Sequence, residues 1–264
     1  MRTTLLFFGL MILCFKMTGQ TSNPDYTGKT ILAVFAHPDD ELYAAPVLAK
    51  YAFLGAEVHL VVVTDGRYGT GQTDLKPGSE LVELREKELD CSCENLGIEK
   101  PITLGYHDQL KLQEGFFGHV PYVQNLLKQL DSIVNKLDPD VMLTWGPDGG
   151  SNHMDHRIVG ASVTQIYLNS YRNNSMKLYY VGTPIDNLDA EDRLLRGVDQ
   201  NYLNVRIPYG SREIQKTISA VNCYTSQFSP EKMKSRAKSI QAGPSTVYLR
   251  ELGVPEDIRS DFFE

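Results

Sequence analysis

The chain has 264 residues, of which 42% are hydrophobic, and its 26 basic and 33 acidic residues give a formal charge of -7. That length supports one sizeable core, so we expect a single domain over residues 21–264. An acidic chain without a basic block or stripe is not expected to bind nucleic acid or an anionic membrane surface.

Residues 1–20 are predicted to be a secretory signal segment. Arg2 precedes an apolar run from Thr3 to Phe15, and Lys16 follows it. The run is about a dozen residues long, shorter than the ~20 residues that span a bilayer. We therefore expect an exported protein, in the periplasm, the cell envelope or the extracellular space, with no stable membrane insertion once the segment is removed. If the segment remains as an uncleaved anchor, the rest of the chain still lies outside the cytoplasm.

The first predicted strand ends abruptly in polar residues. Ile31 to Ala36 is an apolar run, which is typical of a buried parallel strand. It is followed by His37–Glu41, with the sequence His-Pro-Asp-Asp-Glu, whose proline fixes a turn and whose acids suit the start of a helix. Adjacent carboxylates repel one another unless a cation lies among them. The segment therefore indicates either a divalent metal site or a capped helix with a solvated acidic turn.

Strands and helices alternate along the chain, which predicts an α/β fold with a mostly parallel sheet. Helices are predicted over residues 42–54, 79–96, 122–137, 153–170, 211–223 and 230–241, and strands over residues 57–63, 102–104, 141–145, 177–181 and 203–207. The glycine-rich loop Thr64–Gly78 lacks a phosphate-loop signature and is predicted to form a mobile wall of the site. The segment Lys111–Pro121 is predicted to be a loop.

A second polar cluster follows the predicted strand Val141–Trp145. His153 and His156 are three residues apart at the start of a helix, so they share one face, with Asp155 between them. The C-terminal ends of parallel strands meet at one edge of an open sheet. This cluster is therefore expected near His37, and the coincidence of the two clusters favours the metal site.

Three cysteines remain after the predicted signal segment. Cys91 and Cys93 are two residues apart in a helical pattern, so they point to different faces and do not readily bridge each other. Cys223 is remote in sequence. An odd count is not a disulfide framework, so buried free thiols are predicted.

Two motifs together resemble the PIG-L / LmbE-like family of metal-dependent deacetylases, which remove N-acetyl groups from molecules that contain N-acetylglucosamine. They are Ala36–Glu41 and His153–His156. The resemblance runs in order and spacing from Ile31 to about Ala161. It includes Thr64-Asp65-Gly66, Arg85 with Glu88, Leu104-Gly105-Tyr106 with Asp108, and Asp138–Val141. It implies a Rossmann-like three-layer fold whose site lies at the C-terminal edge of the strands.

The resemblance also assigns metal ligands. His37, Asp40 and His156 would bind the ion, with Zn2+ as the expected metal and Fe2+ as another divalent candidate. Two imidazoles, one carboxylate and an open position suit catalytic zinc, which lowers the pKa of bound water toward ~7. Asp39 would be the general base that acts on that water.

The remaining implied roles concern the leaving group and the substrate. His153 would stabilise the oxyanion or protonate the leaving amine, with Asp155 orienting its ring. Arg85 and Asp108 match family positions that hold the sugar. Where many relatives carry a glutamate, this chain has Arg67, a cation at the substrate end of the site. The expected substrate is an N-acetylated small molecule or oligosaccharide of the N-acetylglucosamine type, or a related amide.

Two other classes fit parts of the sequence. His37, Asp39 and His156 also match the His-x-Asp…His triad of non-haem iron oxygenases, although that triad normally lies on an all-β fold. A glycan-binding protein with an inactive site is the third class. Every catalytic position is filled in this chain, which counts against that class.

Overall fold

A computed structural model describes residues 23–109, 116–169, 176–253, 258 and 260–263. The predicted signal segment lies outside these residues. The strands are β1 Thr30–Phe35, β2 Glu57–Thr64, β3 Ile102–Tyr106, β4 Val141–Trp145, β5 Lys177–Val181, β6 Thr183–Pro184, β7 Gly197–Val198, β8 Val205–Pro208 and β9 Thr246–Glu251. The helices are α1 Ala45–Phe53, α2 Ser79–Leu96, α3 Phe116–Leu137, α4 Gly149–Asn152, α5 Met154–Asn169, α6 Arg193–Arg196, α7 Ser211–Val221 and α8 Pro230–Ala242.

Strand β1 lies inside a seven-stranded sheet with the order β3-β2-β1-β4-β5-β9-β8. The five strands from β3 to β5 are parallel, and β9 runs antiparallel to both β5 and β8. Strand β1 lies between β2 and β4. The strands β2 and β3 follow it on one side of the sheet, and the chain then crosses to the other side for β4 and β5. Open α/β sheets place their ligands at such a switch point, beyond the C-terminal ends of the strands. The predicted mostly parallel α/β sheet is confirmed.

Alternate residues of β1 enter two separate cores, as the pleat of a strand requires. Ile31, Ala33 and Phe35 pack with buried residues of α1 and α2 on one face of the sheet. Leu32 and Val34 pack with buried residues of α3 and α5 on the other face. The sheet is therefore covered on both faces, which explains why β1 is apolar at every position after Thr30 and confirms the three layers.

The start of α3 corrects one prediction. The helix begins at Phe116 and contains Pro121, so the part of the predicted loop from 116 onward is helical, and residues 110–115 lie outside the described chain. Over the described residues, no helix has both the length and the apolar character needed to cross a membrane.

The prediction of three free thiols is wrong for two of the cysteines. Cys91 in α2 and Cys223, just after α7, form a disulfide with their Cα atoms 5.9 Å apart. The two residues are 132 positions apart in sequence, and no local pattern shows that α2 and α7 pack side by side. Cys93 is a buried free cysteine, as predicted.

Candidate active site

The turn after β1 brings Asp39 to the edge of the sheet in an unusual backbone conformation. Asp39 has a φ of 99°, in the left-handed region that few residues other than glycine adopt. Its backbone N–H donates to Glu41 Oε2 over 3.1 Å. Glu41 Oε1 accepts from Ser92 Oγ over 2.5 Å and from Tyr224 Oη over 2.7 Å. Glu41 is buried, which raises the pKa of its carboxyl to about 7. The carboxyl of Glu41 therefore holds the turn in place through its hydrogen bond with the backbone of Asp39.

The three predicted metal ligands lie next to one another. His37 Nδ1 lies 3.2 Å from His156 Nε2, and His156 Nε2 lies 3.2 Å from Asp40 Oδ1. The short distance between His37 Nδ1 and Asp40, 3.5 Å, is to the other carboxylate oxygen, Oδ2. Atoms bound to one tetrahedral zinc ion at about 2.1 Å lie roughly 3.4 Å from each other. The distances from His156 Nε2 to the other two side chains are therefore of the size that two ligands of one zinc ion have.

Protein groups hold the other atoms of these ligands. His156 Nδ1 lies 2.8 Å from the carbonyl oxygen of Gly149, which can only accept, so Nδ1 carries the proton and Nε2 has the free lone pair. The imidazole of His156 also stacks on Trp145, with ring centres 4.4 Å apart. Asp40 Oδ2 accepts from the backbone N–H of His37 over 2.9 Å. The ligands are thus oriented by contacts within the protein.

Burial and charge act in opposite directions on these ligands. Burial raises the pKa of Asp40, but His156 and His37 outweigh it and hold that pKa far below its ordinary value. Burial lowers the pKa of His37, but the carboxylates of Asp155 and Asp40 outweigh it and raise that pKa to about 10. A divalent cation held by these side chains would balance the same carboxylates and would need His37 in its neutral form.

Asp39 lies beside the ligand cluster, against an arginine. Its Oδ1 is 3.3 Å from Arg85 Nη2, while Arg85 Nη1 donates to the carbonyl oxygen of Gly66 over 3.0 Å. A Cβ on Gly69 would lie 2.0 Å from Arg85 Nη1, so a glycine at position 69 is needed for this packing. Burial raises the pKa of Asp39 to about 6 against the opposing charge of Arg85. A carboxyl with that pKa can accept a proton near neutral pH.

His153 and Asp155 both line the same cavity, but their relation differs from the expected one. Asp155 is fully buried, and its Oδ2 lies 3.1 Å from His37 Nε2 and accepts from the backbone N–H of Gln109 over 2.8 Å. The carboxylate therefore orients the ligand His37 rather than His153. It is the backbone N–H of Asp155 that donates to His153 Nδ1, over 3.3 Å. The ligand atoms of His37, His153 and His156 all lie within 4.8 Å of one another.

The three predicted substrate residues occupy different places. Arg85 and Asp108 line a cavity of about 310 Å³ together with the ligand cluster. The Asp108 carboxylate also accepts from the backbone N–H groups of Gly66 and Tyr68, each over 2.9 Å, and so holds the loop that was predicted to form a wall. Arg67 pairs with the carboxylate of Asp65 and is not among the described residues that line the cavity.

One wall of the cavity comes from a part of the chain that carries no recognisable functional motif. Gln227, Phe228 and Arg236 line it. The segment before them is tied to α2 because Glu88 accepts from Ser226 N over 2.7 Å and from Thr225 Oγ1 over 2.8 Å. No local pattern reveals these residues, since their place depends on the packing of α7 on α2 and of α8 on α7.

Comparison with known proteins agrees with this geometry. The PIG-L family model, described as GlcNAc-PI de-N-acetylase, matches residues 32–167. A relative from Corynebacterium glutamicum strain R, a 1D-myo-inositol 2-acetamido-2-deoxy-alpha-D-glucopyranoside deacetylase, is 33% identical over 147 residues, which are 50% of this chain and 50% of the relative. The chain thus spans about half the length of the first curated relatives that it matches.

Solved structures of low sequence identity share the fold. The N,N'-diacetylchitobiose deacetylase from Pyrococcus horikoshii has a TM-score of 0.64 and 22% identity, with 85% of this chain and 84% of that chain covered. GalB, the 4-carboxy-2-hydroxymuconate hydratase from Pseudomonas putida KT2440, has a TM-score of 0.64 and 14% identity, with 86% and 97% covered. The fold thus serves more than one reaction. Since the family model matches more than half of the chain and includes both polar motifs, the protein belongs to the PIG-L family.

Proposed function

We propose that this protein is an exported, zinc-dependent deacetylase that removes an N-acetyl group from an N-acetylglucosamine-type sugar or a related amide. The observation that carries this proposal is that His37, Asp40 and His156 lie within 3.5 Å of one another and line the same cavity as Asp39 and His153. Family membership and the deacetylase relative support the reaction. Two imidazoles and one carboxylate are a ligand set typical of catalytic zinc.

The side chains around the cavity supply the proton transfers that amide hydrolysis needs. When bound, zinc supplies a Lewis acid that polarises the carbonyl and acidifies water. Asp39 accepts the proton of the attacking water, and Arg85 keeps its carboxyl in place. His153 Nδ1 accepts the N–H of Asp155, so the neutral ring carries its proton on Nε2. That N–H is available to the developing oxyanion or to the leaving nitrogen.

Export is supported by two separate features. The first is the predicted signal segment over residues 1–20. The second is the Cys91–Cys223 disulfide, since disulfides form and persist in oxidising compartments outside the cytosol. An exported deacetylase would act on a glycan of the envelope or the surroundings.

The oxygenase alternative needs Asp39 as a metal ligand. In the structure the carboxylate between the two histidines belongs to Asp40, with its Oδ1 at 3.2 Å from His156 Nε2. Asp39 Oδ1 instead lies 3.3 Å from Arg85 Nη2. The geometry therefore favours Asp39 as a base.

The deciding experiment combines acetate release with metal analysis. Zinc-reconstituted protein is screened against N-acetylated sugars, among them a methyl N-acetylglucosaminide and N,N'-diacetylchitobiose. Asp39→Asn should keep one zinc ion and lose about 10²–10⁴-fold in rate, whereas Asp40→Asn should lose the metal. Asp90→Asn, an exposed carboxyl on α2, is the matched control and should behave as the parent protein.

Two outcomes would contradict the proposal. Loss of zinc from the Asp39→Asn variant would make Asp39 a ligand, as the oxygenase alternative requires. No acetate from any substrate at full zinc occupancy would leave a protein that binds glycans without hydrolysing them.

A further inference from the structure

A second cavity adjoins the catalytic one. It has a volume of about 470 Å³ and shares two lining residues, Tyr43 and Arg236, with the catalytic cavity. Most of its other lining residues follow position 167, where the family match ends. They come from the segment 182–188, from Arg196 and Tyr209, from α7 and α8, and from residues 243–248. The two cavities therefore share a wall, and Arg236 is part of it.

The charged residues that line the second cavity are all positive. Among its described lining residues there are two arginines, Arg196 and Arg236, and no aspartate or glutamate. Arg196 Nε already has a carboxylate oxygen of Asp192 at 3.8 Å. Over the described part of the chain, Arg236 has no carboxylate within 4.0 Å. The charge of Arg236 acts on Asp39 across the catalytic cavity, but its guanidinium N–H groups are not hydrogen-bonded to a carboxylate of the described residues and can donate to an anionic ligand.

The position of Arg236 is fixed by an aromatic ring. Its guanidinium carbon lies 4.2 Å from the ring centre of Phe228, which lines the catalytic cavity. Lys232, one turn earlier on α8, places Nζ 5.3 Å from the same ring centre. In a chain of net charge -7, α8 carries four basic residues and one acidic residue. Helix α8 therefore supplies positive charge to the wall of the second cavity, whereas the carboxylates of the site line only the catalytic cavity.

We propose that Arg236 binds an oxyanion, a carboxylate or a phosphate, on the group attached to the N-acetylated sugar, and that the second cavity holds that group. This inference rests on the proposed function, because it places the sugar in the catalytic cavity. Arg236 is then a specificity-determining residue. It presents a planar fork of N–H donors that matches both kinds of oxyanion.

The test compares substrates that differ in charge at that position. The zinc-loaded protein is assayed with a neutral methyl N-acetylglucosaminide, with N-acetylglucosamine 1-phosphate, and with an N-acetylglucosaminide of a hydroxy acid. We expect kcat/KM to be about 10- to 100-fold higher for at least one of the anionic substrates, mainly through a lower KM. A preference for the phosphate or for the carboxylate substrate identifies the oxyanion.

Variants of α8 separate a specific contact from a general field. Arg236→Met should abolish the preference for the anionic substrate, and Arg236→Lys should restore part of it. Lys238→Met removes the same charge from an exposed position that lines neither cavity, and it should keep the preference. Thermal unfolding of each variant shows that it is folded.

A binding measurement keeps this inference separate from the proposed reaction. Glucosamine 1-phosphate and methyl glucosaminide are titrated calorimetrically into the parent protein and into Arg236→Met. Tighter binding of the phosphate by the parent alone supports the anion site even if no sugar is deacetylated. Equal affinities for the two sugars, or an equal loss in Lys238→Met, would overturn it while leaving the deacetylase proposal intact.

Discussion

Substitution of Gly160 by alanine tests how helix α5 positions His156, one of the proposed metal ligands. Gly160 lies one turn after His156 in α5, against the end of β4. A Cβ at this position would lie 2.4 Å from the carbonyl oxygen of Trp145 and 3.1 Å from its carbonyl carbon. Ordinary contact begins near 3.4 Å, so α5 would have to move by about 1 Å. Backbone atoms cannot swing aside as a flexible side chain does.

The expected effects follow from that displacement. Overpacking costs about 1–3 kcal/mol, and the better helix propensity of alanine returns up to about 1 kcal/mol. We therefore expect the free energy of unfolding to fall by about 1–2 kcal/mol. Metal sites tolerate errors of about 0.2 Å in ligand distance, so a shift of His156 with α5 should weaken zinc binding by at least about tenfold.

Denaturant unfolding and zinc competition with a chromophoric chelator measure the two effects. Gly210→Ala is the control without steric overlap, because the nearest atom to its Cβ would be Glu213 Oε2 at 3.5 Å. It should leave the zinc affinity unchanged and lower the unfolding free energy by less than about 1 kcal/mol, since Gly210 is the N-cap of α7. An unfolding free energy and a zinc affinity both equal to those of the parent protein would refute the argument. A loss of stability alone would show that the helix relieves the overlap without moving His156.

Three further predictions concern the surroundings of the site. Burial raises the pKa of Glu41 from 4.5 to about 7. Between these two pH values the folded state binds a proton that the unfolded chain has released, so the free energy of unfolding falls as the pH rises from 4.5 to 7. Relative to the parent, Glu41→Gln should therefore gain unfolding free energy from pH 4.5 to pH 7 in denaturant titrations, and a constant difference would contradict this. Cys91→Ser opens a bridge across 132 residues and should cost about 2–5 kcal/mol; a reductant should lower the parent to the same stability and leave the variant unchanged. Burial raises the pKa of Asp39 while Arg85 lowers it, so Arg85→Met should move the acid limb of kcat/KM to higher pH, and an unmoved limb would exclude Asp39 as the titrating base.

The closeness of the two polar motifs could be predicted from sequence because short local patterns determine it, whereas the ligand roles of His37, Asp40 and His156 come from the family resemblance and stay a prediction. The apolar run of β1 predicts a buried parallel strand, and the loops that leave the C-terminal ends of parallel strands all lie at one edge of the sheet. That rule alone predicts that His37 and His156 lie close together. The spacing within His153–His156 did not determine the partner of Asp155, since a carboxylate at that position can turn toward either histidine.

The features missed from sequence are those that depend on long-range packing. The Cys91–Cys223 bridge and the wall formed by Gln227 and Arg236 exist because α7 packs on α2 and α8 packs on α7. Neither helix has a motif that marks its inner face. Their contribution to the cavity comes from the tertiary arrangement alone.

The pairing of β1 with β4 also determines when an ion can enter. His37 and His156 are 119 positions apart, and they become neighbours only after two distant parallel strands have joined, which is a slow, non-local event in folding. A disordered chain holds the three donors in no fixed arrangement, so an ion bound by them would bind the folded sheet and stabilise it by mass action. Under the proposed function, metal loading would therefore follow the assembly of the sheet.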